Sequence, residues 1–203
     1  MKKNSIQLKD VVMMAVLGIL FAAVYMGMFY AGMALQGMLT PAGLGNFAFE
    51  AVYGSWFMAA TIAAYIIRKP GVALITEVLA AGLELLMGNS GGVTVVLTGL
   101  IQGVGCELAF AMFRYKRFDL LSMTLSGVFA AIFIFVYELY YLQYYLLAPG
   151  ILAAQLAVRF ISAFIFAGLI SKIACDGLAA TGVLKNYAAG ASRREIAIEE
   201  EEE

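Results

Sequence analysis

Between Asp10 and Glu50 the chain carries no charged side chain. A soluble domain of 203 residues has too little interior to hide a run of that length together with everything else it must bury. The bias continues along the sequence, with 63% hydrophobic and 13% charged residues against about 45–50% and about 25% in ordinary globular domains. The medium that solvates this chain is therefore lipid. A helix crossing about 30 Å of hydrocarbon needs roughly 20 apolar residues. Windows of that kind fall at 11–33, 47–67, 71–88, 92–113, 120–145 and 151–172. Pro- and Gly-containing breaks separate them, among them Thr40-Pro41-Ala42-Gly43, Arg68-Lys69-Pro70-Gly71 and Ala148-Pro149-Gly150. Continuous apolar runs, rather than period-two alternation, exclude a membrane β-barrel.

The basic residues set the orientation. Lys2, Lys3 and Lys9 precede the first window, Arg68 and Lys69 follow the second, and Arg114, Lys116 and Arg117 follow the fourth. Lys172, Lys185, Arg193 and Arg194 close the sixth, so twelve of the thirteen basic residues lie on one side. By the positive-inside rule that side is cytoplasmic. The expected fold class is an all-α polytopic membrane protein with six transmembrane helices and both ends inside. Residues 1–185 would form the membrane domain, and 186–203 a charged, disordered cytoplasmic tail.

Composition also removes whole classes of function. A net charge of −1 excludes a basic nucleic-acid binder. The chain has no His, which removes the usual zinc sites and His-dependent catalysis. Cys106 and Cys175 supply neither a metal cluster nor a disulfide framework.

The informative residues are charges inside the apolar windows: Glu50, Glu77, Glu84, Glu107, Glu138 and one cation, Arg159. Each ionised group facing lipid costs roughly 2.5–3.5 kcal/mol. They must therefore face one another, the bundle interior or a wet cavity. Five carboxylates against one guanidinium leave anions that a cationic ligand would neutralise. Glu50, Glu84 and Glu138 fall in the outer halves of their windows, while Glu77 and Glu107 sit deeper. Tyr53, Trp56 and Tyr141 lie at helical spacings from these carboxylates, with Asn89 in the outer turn and Gln102 in mid-window. Tyr144 and Tyr145 read as an interfacial belt. The candidate substrate site is thus Glu84, Trp56, Tyr53, Glu50, Asn89, Gln102, Glu138 and Tyr141, suited to a flat cationic ligand. Small residues Ala15, Gly18 and Ala22 on the first window suggest a helix-contact stripe for another membrane protein. Gly99, Gly103 and Gly105 suggest internal packing.

The segments Glu50-Ala51-Val52-Tyr53-Gly54-Ser55-Trp56-Phe57 and Tyr65-Ile66-Ile67-Arg68-Lys69-Pro70-Gly71 resemble the YkoE family. The stretch from Glu77 to Asn89, the run Ile101 to Glu107 and the close from Asp176 to Leu184 are similar too. Members are substrate-binding S components of energy-coupling factor (ECF) transporters, of the thiamine/hydroxymethylpyrimidine type. The resemblance implies a six-helix S-component bundle in a bacterial or archaeal cytoplasmic membrane, with an outward vitamin pocket roofed by the loop between the first two helices. The ligand would be thiamine or its pyrimidine moiety. It also implies a T-type transmembrane subunit and two ATPase subunits that use the ATP, and a subunit that topples in the membrane to release its ligand. The helix-one contact pattern of S components is met here only as Gly18-x-x-x-Ala22, with Ala15 a turn earlier. A stand-alone secondary transporter of a cationic aromatic metabolite is the alternative, although no internal repeat is visible. An enzyme is not expected, since the windows hold no nucleophile–base pair or phosphate loop.

Overall fold

A computed structural model describes residues 5–191 of the chain. Eight α-helices run in order: α1 (Leu8–Leu39), α2 (Ala48–Val52), α3 (Met58–Ile67), α4 (Val72–Leu86), α5 (Thr94–Met112), α6 (Leu120–Tyr141), α7 (Pro149–Ala163) and α8 (Ser171–Ala180). A 3-10 segment, Tyr53–Phe57, joins α2 to α3, and a π-helical segment, Phe164–Ile170, joins α7 to α8. Five stretches are long and apolar enough to cross a membrane: Leu8–Ala42, Gly45–Ile67, Thr94–Met112, Leu120–Tyr141 and Pro149–Ala180. The window at 71–88 becomes α4, whose 15 residues rise only about 22 Å at 1.5 Å per residue. It packs against α1, α3 and α5.

Local chemistry fixes the helix ends. Asp119 caps α6, its carboxylate accepting from Ser122 N–H at 2.9 Å while its own N–H donates to Ser122 Oγ at 3.0 Å. The turn before α4 needs left-handed backbone at Arg68 (φ 56°) and Gly71 (φ 85°). Glycine supplies the second without steric cost.

Seen as a solvent problem, the protein is inside out. Glu50, Glu77, Glu84, Glu138, Gln102, Gln155 and Arg159 are buried, while Leu8, Leu86 and Val93 stand at least 80% exposed. Much of the core of the bundle is packed from small side chains. Ala59, Ala60, Ala63, Ala64, Ala73, Ala109 and Ala130 are all buried, closed over by Phe57, Phe110 and Met123. Gly99 and Gly105 lie where α5 meets α4 and α6. A Cβ on them would reach Ala81 Cβ at 2.4 Å and Ala130 Cα at 2.6 Å. Such backbone proximity is how helices gain dispersion contact in lipid, where no hydrophobic force pulls them together.

The structure corrects two expectations. Gly18 and Ala22 do not form an outward stripe. Both are buried, and a Cβ on Gly18 would stand 3.3 Å from Leu79 Cβ of α4. Of the three small residues named on this helix only Ala15 is exposed. Nor does a free tail begin at residue 186. Tyr187 OH donates to Lys9 O at 3.0 Å, Lys9 Nζ donates to Asn186 O at 2.7 Å, and Leu184 and Ala189 are buried. The chain up to Ala191 is therefore tied to the start of α1; the rest of the expected tail, 192–203, lies outside the described residues.

Candidate functional site

A cavity of about 330 Å³ opens among α1, α2, α4, α5, α6 and the Tyr53–Phe57 segment. All eight residues singled out from the sequence line it: Glu50, Tyr53, Trp56, Glu84, Asn89, Gln102, Glu138 and Tyr141. Its aromatic wall centres on Trp56, whose ring lies 6.4 Å from Tyr25, 6.5 Å from Phe49 and 5.7 Å from Tyr53, centroid to centroid. Tyr137 and Tyr141, stacked at 5.1 Å, also line the cavity.

The 3-10 segment explains how these side chains converge. A regular helix through residues 48–67 would keep turning at 3.6 residues per turn, whereas three per turn aligns side chains three apart. Glu50, Tyr53 and Trp56 follow that spacing, and all three reach one cavity. The segment lies close against α7: Gly54 N–H donates to Ser162 Oγ at 2.9 Å, and a Cβ at Gly54 would fall 2.2 Å from Ser162 O. Only glycine fits there.

Two carboxylates are already spoken for. Arg159 of α7 is buried; its Nε donates to Glu50 Oε2 at 2.5 Å and its Nη2 to Glu50 Oε1 at 2.8 Å. The same Nη2 lies 2.6 Å from Glu138 Oε2, an ion-pair contact outside hydrogen-bond geometry. Tyr53 OH donates to Glu138 Oε1 at 2.5 Å, and the guanidinium lies over the Tyr53 ring at 3.8 Å. A planar cation with forked donors is the side chain that can bridge two acids and stack on an aromatic face at once.

The other two carboxylates of the cavity have no cation beside them among the described residues. Glu84 Oε1 accepts from Asn89 Nδ2 at 2.7 Å and, at a longer 3.4 Å, from Trp56 Nε1. Glu77 Oε2 accepts from Tyr25 OH at 2.9 Å and Ala60 N–H at 3.1 Å. The chemistry on offer is anionic acceptors against flat π surfaces, in a pocket the size of a small organic molecule.

Glu107, the remaining acid within the windows, is elsewhere. Its Oε1 accepts from Gly71 N–H at 2.6 Å and Tyr115 OH at 2.6 Å, and its Oε2 from Ala73 N–H at 3.0 Å and Leu74 N–H at 3.3 Å. It satisfies the open N-terminus of α4. Glu107→Gln is therefore expected to lower thermal stability by about 0.5–2 kcal/mol while leaving ligand affinity unchanged, which melting curves and calorimetric titration would check.

Several lining residues were not foreseen: Phe29, Phe49, Glu77, Thr94, Thr98, Tyr137 and Tyr144. Tyr144, read as interfacial, turns into the cavity because Gln143 takes a left-handed φ of 56° and starts a 3-10 turn, Tyr144–Leu146. Its neighbour Tyr145 stays 56% exposed. The loop between α1 and α2 contributes no lining residue. The rim is instead Asn89 and Gly91 of the α4–α5 connection with Leu142 and Tyr144 of the α6–α7 connection, correcting the expected roof.

A family model for the permease component of ABC-type cobalt transport systems matches residues 9–133. The protein named HMP/thiamine permease protein YkoE of Bacillus subtilis (strain 168) is 41% identical over 187 residues, 92% of each chain. The chain belongs to the YkoE permease family. A crystal structure of an S component of an ECF transporter superposes with a TM-score of 0.92 at 39% identity, covering 98% of each chain. The chain is thus a multi-pass membrane transport protein with the S-component fold, and not an enzyme. As such a component it is a substrate-binding subunit of an ECF importer, working with T and ATPase partners on a small molecule.

Proposed function

We propose that this chain binds thiamine or its hydroxymethylpyrimidine precursor for an ECF-type importer in a bacterial or archaeal cytoplasmic membrane, with one T subunit and two ATPase subunits supplying the drive. The observation that carries this reading is the juxtaposition of Glu84, Trp56 and Asn89 in a cavity with more carboxylates than cations. An aminopyrimidine edge bonds a carboxylate bidentately, and a thiazolium ring gains from an aromatic face. The YkoE relative carries thiamine and HMP in its name. We place Glu84 as the leading carboxylate, with Glu50, Tyr53, Trp56, Asn89, Gln102, Glu138 and Tyr141 around the ligand.

The cobalt in the family description offers a second reading. The donor set argues against it as cargo. The chain has no His, no group of three His, Cys, Asp or Glu that could hold a metal occurs among the described residues, and Glu50 and Glu138 are engaged by Arg159. Calorimetric titration of the detergent-solubilised chain with thiamine, hydroxymethylpyrimidine and Co²⁺ separates the readings. Heat from either organic ligand and none from Co²⁺ is expected; the reverse would overturn the proposal. A stand-alone secondary transporter would take up substrate in vesicles lacking the T and ATPase subunits, where we expect no uptake.

We further propose six spans with both ends cytoplasmic, α4 being a short sixth span shielded by its neighbours. Native Cys106 and Cys175 are buried, so background labelling will be low. Ser90→Cys, on the exposed α4–α5 connection, should react with an impermeant maleimide added outside, and Lys116→Cys only after permeabilisation. The opposite pattern would invert the orientation.

A further inference from the structure

A second cavity, of about 580 Å³, opens between the first turn of α1, the α3–α4 turn and the segment after α8. It shares no lining residue with the ligand cavity. Lys9, Lys69 and Tyr187 stand in its wall. Lys9 Nζ donates to Asn186 O at 2.7 Å and lies 5.7 Å from the centre of the Tyr187 ring. Lys69 Nζ donates to Ser5 O at 3.0 Å and to Asp10 Oδ2 at 2.5 Å. An ammonium carries three donors, so among the described residues Lys9 keeps two uncommitted and Lys69 one. The acid in the lining, Asp10, is turned inward with its side chain 2% exposed, and is held by Lys69 and by Gln7 N–H at 2.8 Å. The cavity therefore presents positive charge, and the start of α1 adds the favourable end of its dipole for an anion.

Lys9 also heads an apolar stripe. Val12, Val16 and Leu20 follow it at i+3, i+7 and i+11, which keeps all four on one side of α1. The three apolar residues are 53–55% exposed. We propose that cavity and stripe together bind one anionic phospholipid, with its phosphate ester held by Lys9 and Lys69 and an acyl chain lying along Val12, Val16 and Leu20. Basic pockets between helix ends recognise such headgroups. A cavity of this volume admits a group of small-molecule size. Charge complementarity selects a headgroup with net negative charge over a zwitterionic one, whose own ammonium would meet the lysines. The bound lipid ties the start of α1 to the α3–α4 turn through its phosphate, whatever ligand occupies the other cavity.

The purified full chain, in an uncharged detergent, is titrated with dioleoyl-phosphatidylglycerol and with dioleoyl-phosphatidylethanolamine, and bound lipid is counted by native mass spectrometry. At about fivefold per lysine, the phosphatidylglycerol should be held about 5- to 25-fold more tightly. Lys9→Gln should lower that preference about fivefold. Lys116→Gln, an exposed lysine of the α5–α6 connection outside this cavity, should leave it unchanged. Equal affinity of the wild type for the two lipids overturns the proposal, as does an equal loss of preference in both variants. Displacement of the phosphatidylglycerol by millimolar inorganic phosphate would make this a site for free anions and overturn the lipid. A dimer of the chain in place of the lipid-bound monomer would assign the stripe to a second copy, and overturns it too. Should Lys9→Gln not fold, the wild-type comparison of the two lipids decides. Thiamine enters none of these readouts, so their failure leaves the functional reading standing.

Discussion

Arg159→Met is expected to destabilise the protein by about 3–5 kcal/mol, the range for stripping one partner from a buried ion pair. Methionine keeps an unbranched, apolar stem, shorter than arginine, and leaves Glu50, Glu138 and the Tyr53 ring without their shared cation. The energy is dominated by the acids left behind, because an uncompensated carboxylate costs far more away from water than the pair contributes while intact. A large drop in the melting temperature of the detergent-solubilised chain should follow. The triple change Glu50→Gln, Glu138→Gln and Arg159→Met should recover much of it. A single variant that melts with wild type would show that the network does not brace α2 and α6 against α7.

The second large effect is on binding. Glu84→Gln should weaken thiamine binding by about 2–5 kcal/mol, as for truncating one side of a buried charge pair. Trp56→Ala should cost about 2 kcal/mol or more, the cost of removing an aromatic anchor at the centre of a binding site. Calorimetric titration reads both. Trp56→Ala also removes the Nε1 contact to Glu84, so the two changes should not be additive when combined. Wild-type affinity in both single variants would move the ligand away from this wall of the cavity.

Much of this molecule was legible because lipid makes polarity conspicuous. Glu50, Glu84, Glu138, Asn89 and Gln102 stand out in apolar runs, and a charge that cannot face lipid has few other places to go. Tyr53 and Trp56 were found through their spacing from Glu50. What stayed hidden depended on backbone irregularity or on partners distant in sequence. The pairing of Arg159 with Glu50 joins residues 109 apart. Phe29 sits on a helix that is apolar all round, with no polar stripe to show which side faces in. For the same reason the orientation of Gly18 and Ala22 could not be read from spacing alone. Tyr144 depends on the left-handed Gln143, a conformation that glutamine does not advertise. Spacing along α4 put Glu77 two turns from Glu84 on one face. It did not reveal that the cavity extends down to it.

The alanine-packed half beneath the cavity bears on how tightly the membrane stays sealed. Ala59, Ala60, Ala63 and Phe57 leave almost no exposed surface below Trp56, and Phe110, Cys106 and Met123 close the section from the other side. A section closed by buried apolar side chains offers protons or sodium no polar groups to follow. A cell could hold many idle copies of this protein without draining its ion gradients.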